Sequence, residues 1–118
     1  MSDRYARYTR LKFDRPHPRV LRITMNSPPE HKLGAMDALM HYELTKIWAD
    51  ADADPSVSAI IITGSGKTFS SGGYLNYEIE MRQDYNLWMP MIRDAQNLVY
   101  GIINCSKPII SGVRGWAV

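Results

Sequence analysis

One cysteine in 118 residues, Cys105, has no partner for an internal disulfide, so a reducing compartment is its natural setting. Runs of like charge are missing too. Fourteen Lys and Arg stand against twelve Asp and Glu, for a net charge of +2, and the cations are scattered. A nucleic-acid backbone needs a denser basic track, so no nucleic-acid partner is expected. No apolar stretch approaches the roughly 18 residues of a membrane span, and no membrane partner is expected. Met1 to Arg7 is charged and lacks the apolar centre of a secretory signal, which points to a cytoplasmic protein. Histidine is rare: His17, His31 and His41 show no metal-ligand spacing, and a lone loop histidine reads as solvated.

What is present is ordinary for one small soluble domain, with 45% hydrophobic and 22% charged residues. Thr9 to Phe13 and Val20 to Met25 read as strands. In the second, Leu21, Ile23 and Met25 alternate with Val20, Arg22 and Thr24. The turn residues Arg15-Pro16-His17-Pro18 between them predict a hairpin. Asn26 to Lys32, with Pro28-Pro29, is an exposed loop. From Met36 to about Asp50 the period becomes helical: Met36, Leu39, Met40, Leu44, Ile47 and Trp48 share a face, opposite Asp37, His41 and Lys46. Val57 to Ile62 is a short β-branched run that suits a strand covered on both faces. Asn86 to Asn104 predicts a second helix, its apolar side carrying Trp88, Ile92, Leu98, Val99 and Ile103. Pro108 to Val113 predicts a last strand. The order ββαβαβ argues for an α/β fold with crossover connections. The apolar ending Gly112 to Val118 follows a buried strand directly, and on that ground the chain reads as part of a longer domain.

Three segments carry chemistry. They are Ile23 to Met36, Ile60 to Leu75 (Ile-Ile-Ile-Thr-Gly-Ser-Gly-Lys-Thr-Phe-Ser-Ser-Gly-Gly-Tyr-Leu), and Asn104 to Ala117. The middle one leaves a buried strand for a loop whose Gly72-Gly73 pair permits unusual backbone conformations. Such a loop can aim free N–H groups at a developing oxyanion, or it can simply be a tight turn into a helix.

Together, in order and in spacing, the three resemble the crotonase (enoyl-CoA hydratase/isomerase) superfamily, with its "LNRP…NAL", "TGxGxxFSAGxDL" and "KPVIAAVxGxAxGGG" patterns. The resemblance covers residues from about 9 to 118. It implies a crotonase-like repeated ββα spiral core, incomplete, with residues 1–118 the N-terminal part of a single domain. It also implies an acyl-CoA substrate, no cofactor beyond the CoA of that substrate, and a homotrimer or hexamer.

Residue by residue, the resemblance assigns an oxyanion-hole donor to the Gly73 N–H. It assigns substrate and CoA contacts to Lys32, Leu33, Ala35, Ser71, Gly72, Gly73, Tyr74 and Leu75. The second donor would belong to a glycine two residues past Val118, and the acid/base carboxylates would lie further on, so the 118 residues are expected to be inactive alone. Lys32 is equally well a solvated loop cation. Two positions depart from the pattern: Gly34 stands for Asn, and Tyr74 for Asp. Gly-x-Tyr-Leu resembles the aroyl-CoA dehalogenase branch, so Tyr74 either lines an acyl pocket for a bulky group or is a packing substitution. Alternatives to a hydratase or isomerase are an acyl-CoA hydrolase or dehalogenase, and a non-catalytic scaffold of the same fold. Glu78 and Glu80 follow the loop and lie within reach of an active site; Cys105 reads as a packed thiol.

Overall fold

A computed structural model describes residues 3–31 and 34–118. After a short 3-10 turn (Asp3–Tyr5), the chain forms β1 (Leu11–His17), β2 (Val20–Met25), α1 (Ala38–Asp52), β3 (Ala59–Gly64), α2 (Leu75–Gln83), α3 (Tyr85–Asn104) and β4 (Ile109–Gly112). The four strands make one sheet in the order β1-β2-β3-β4. β1 and β2 form the expected antiparallel hairpin, while β3 and β4 add parallel. The hairpin register runs from Leu11 opposite Met25 to His17 opposite Val20, with an irregularity between Asp14 and His17. Pro16 in that interval has no N–H to give the ladder.

The core lies between α1 and one face of the sheet. Leu21, Ile23 and Ile60 from the strands, and Met40, Ile47 and Trp48 from α1, are almost wholly buried in one cluster. Asp37, placed by periodicity on the polar side of the helix, is in fact buried. It caps α1 by accepting the Met40 N–H at 2.9 Å, and Arg10 Nε donates to it at 2.9 Å. The buried Glu43 accepts the N–H groups of Thr9 (2.8 Å) and Arg10 (2.7 Å), pinning the start of the hairpin to the helix. At the far end, Lys107 Nζ donates to the carbonyls of Ala51 (2.8 Å) and Asp54, satisfying acceptors that a helix C-terminus leaves free.

Arg15 to His17 extend β1 instead of forming the turn, and β4 is not the buried strand expected, with Ile110 55% exposed. Two further expectations need correction. β3 is not covered on both faces: Ile60 and Ile62 are buried, whereas Ala59, Ile61 and Thr63 are half-buried. Their neighbours on that second face include Arg22, paired with Asp14, and Thr24, so the face is half polar. A shallow hollow of about 610 Å³ opens over it. Secondly, α2 was not foreseen. Only Met81 of its nine residues is buried and Tyr74 gives it no side-chain cap, so the segment has no clear apolar stripe. α3 packs on α1, where Gly101 lets Trp48 approach: a Cβ there would lie 3.0 Å from Trp48 Cδ1. No α3 residue is fully buried, and Trp88, Val99 and Ile103 from its apolar side are exposed.

Candidate functional site

The three segments singled out in the sequence meet around Gly72-Gly73. Phe69 and Ser70 donate their N–H groups to the Trp116 carbonyl at 2.9 and 3.0 Å, and the Val118 N–H returns to the Ser70 carbonyl at 2.9 Å. On the other side, the Met36 N–H donates to the Gly72 carbonyl at 2.8 Å, and the Tyr74 N–H to the Met36 carbonyl at 2.7 Å. Gly72 takes φ +98°, a conformation that a side chain resists, and its N–H donates to Ser70 Oγ at 3.1 Å. Gly73 is therefore clamped from both neighbours. Its own N–H has no hydrogen-bond partner among the described residues.

Gly73 borders a cavity of about 240 Å³ whose wall includes Met36, His41, Tyr77, Glu78, Met81 and Val118. His41 thus faces the site and not the solvated side of α1. Burial pushes its imidazole pKa down, opposed by the charge of Asp94. Burial likewise raises the Tyr77 phenol, and Asp94 adds to that. Glu78, on the first turns of α2, folds its side chain back over Gly73. Its carboxyl carbon lies 2.7 Å from the point a Cβ on Gly73 would occupy, and one carboxylate oxygen lies nearer still. Gly73 does not need its freedom of φ, because only Gly34, Gly72 and Gly115 have positive values; what it lacks is the side chain that would displace Glu78. Glu80 is exposed.

The remaining candidates divide. Ser71 is half-buried beside the clamp, and the buried Ala35 accepts the Ser27 hydroxyl at 2.9 Å within the turn. Leu75 is 66% exposed and does not line the cavity. Lys32 and Leu33 lie outside the described residues. Gly34 has φ +70°, the left-handed region that Asn also tolerates, so the Gly-for-Asn departure is conformationally neutral. Tyr74 is absent from the cavity wall: its ring stacks on His31 with centroids 3.9 Å apart and planes at 26°. His31 is not a solvated loop residue. Its side chain is only 10% exposed, and Nδ1 sits 3.6 Å from Asp37 Oδ2. Sequence spacing carries no signal for this stack, since the two rings lie 43 positions apart in the chain.

A sequence model of the enoyl-CoA hydratase/isomerase family matches residues 16–118. The chain belongs to that family. It is 30% identical over 97 residues to the probable enoyl-CoA hydratase 1, peroxisomal, of Arabidopsis thaliana, a match covering 81% of this chain and 34% of the plant protein. Crystal structures of enoyl-CoA hydratase/isomerases superpose on it. The one from Mycobacterium paratuberculosis does so with a TM-score of 0.82 at 31% identity, over 91% of this chain and 42% of that one. The one from Xanthobacter autotrophicus Py2 gives 0.77 at 35% identity, over 92% and 39%. The α/β crotonase fold is thereby established, and the chain spans roughly a third to two fifths of the length of these relatives. Among the described residues, no helix is long and apolar enough to cross a membrane.

Proposed function

We propose that the protein acts on acyl-CoA thioesters with hydratase or isomerase chemistry, and that the Gly73 N–H is one donor to the thioester oxygen. The supporting observation is that amide: unpartnered among the described residues, held rigid by the two Met36 bonds, and set in the wall of a cavity. As charge builds on the carbonyl oxygen, a donor already in place needs no reorganisation, and removing one such donor typically costs about 10²–10³ in kcat. Lys32, Leu33 and Ala35 take the CoA end, Ser71 and Gly72 support the thioester, and no metal or redox cofactor enters. The 118 residues form the N-terminal part of one catalytic domain and need the rest of it for turnover; the partial coverage of every relative described above supports that reading.

A dehalogenase-like preference for aromatic acyl groups loses its argument, because Tyr74 packs on His31 and the cavity wall is formed by other residues. The test uses the complete protein: Gly73→Pro removes the N–H, and turnover of crotonyl-CoA should fall at least 100-fold while CoA-thioester affinity changes far less. Near-normal kcat in a folded Gly73→Pro protein contradicts the assignment.

A further inference from the structure

We infer that Glu78 is an acid/base residue of this site, its carboxylate taking a proton from the carbon beside the thioester carbonyl that Gly73 holds. The inference rests on the reading above and adds a residue to it. Its first support is position. Glu78 stands over the Gly73 α-carbon, with its carboxyl carbon 2.7 Å from where a Cβ would be. An oxygen accepting from the Gly73 N–H lies about 2.9 Å from that nitrogen. The carbon beside the thioester carbonyl then falls within reach of the same carboxylate.

The second support is freedom. Glu43, Asp37 and Asp54 have their oxygens committed to backbone N–H groups, to Arg10, or to Tyr5 and Ser56. The Glu78 carboxylate, half-buried in the first turn of α2, has no hydrogen bond or ion pair to any described residue; the helix N-terminus favours its charge there but leaves its oxygens free toward the cavity. The third is charge. When Glu78 takes the proton, the C–H electron pair passes to the carbonyl oxygen as an enolate, and the negative charge moves from carboxylate to oxygen. The site's net charge is unchanged, and the N-terminal turn of α2 faces a single negative charge before and after. The other titratable groups on the cavity wall are His41 from α1 and Tyr77 from α2, and Asp94 from α3 acts on both.

The complete protein incubated with butyryl-CoA in D₂O should wash deuterium into the acyl group, read by mass spectrometry. Glu78→Gln should lower that exchange at least 100-fold. Glu78→Asp should recover part of it, and the butyryl-CoA Kd and melting temperature should stay close to wild type. Gly73→Ala keeps the N–H but evicts the carboxylate, and should also slow exchange. Wild-type protein that binds no butyryl-CoA overturns the acyl-CoA reading and this inference with it. Binding and crotonyl-CoA turnover without α-exchange, or a Glu78→Gln protein exchanging at near wild-type rate, overturns the role of Glu78 alone.

Discussion

The hairpin–α1 region and the Gly73 loop treat their polar groups in opposite ways. In the first, each buried carboxylate is saturated: Glu43 by two backbone amides, Asp37 by the Met40 amide and Arg10, and Asp54 by the Tyr5 hydroxyl at 2.6 Å and Ser56. Around Gly73, an amide and a carboxylate sit side by side without a partner among the described residues. Neither is buried: Gly73 is exposed and Glu78 half-buried, so both are open to solvent or to a ligand. The difference separates groups that hold the fold from groups that the proposed site would use.

That contrast breaks most readily at its extremes. Truncating a saturated core position such as Ile47→Ala should cost about 2–5 kcal/mol of unfolding free energy, measured by urea denaturation, because the side chain is fully buried against the sheet. Activity per folded molecule should survive. At Gly73 the pattern inverts: activity goes and stability stays.

Acid separates the two regions a second way. Burial alone would raise the Asp54 carboxyl, but the bonds from Tyr5 and Ser56, with Arg15 beside it, bring it down to about 2. Since the native value lies below the ordinary one of 3.8, the unfolded chain binds the proton more readily. The stabilisation is complete above about pH 5 and disappears as pH falls toward 2. It amounts to roughly 2 kcal/mol. Asp54→Asn should flatten that part of the stability–pH curve; an unchanged slope between pH 5 and 2 would contradict the account.

The smallest effect belongs to Tyr74. Tyr74→Leu removes a stack worth about 0.5–1.5 kcal/mol, seen as a modest drop in melting temperature. The kcat/KM ratio between short aliphatic and aromatic acyl-CoAs should hold. A shift in that ratio would return Tyr74 to the acyl pocket.

Much of this was legible in the residues. Alternation in Val20–Met25 marked β2, the helical spacing of Met40, Leu44 and Ile47 marked α1, and the three motif segments in register pointed to the loop around Gly73. The rest depends on contacts that periodicity does not encode. α2 has almost no apolar face, so pattern could not find it. Asp37 and His41 looked like the polar side of α1, but one caps its start and the other faces a cavity. His31 and Glu78 gain their surroundings from Tyr74 and Gly73, through the loop conformation that Gly72 permits.

Proline at position 73 removes the N–H but also brings a ring toward Glu78. An amide-to-ester replacement, with glycolic acid in place of Gly73 in the complete protein, deletes the N–H alone. It should lower kcat for crotonyl-CoA by about 10²–10³, with thioester affinity and melting temperature nearly unchanged. An ester protein that turns over within about threefold of wild type, far short of the loss of a donor, would show that the Gly73 amide does not carry the oxyanion.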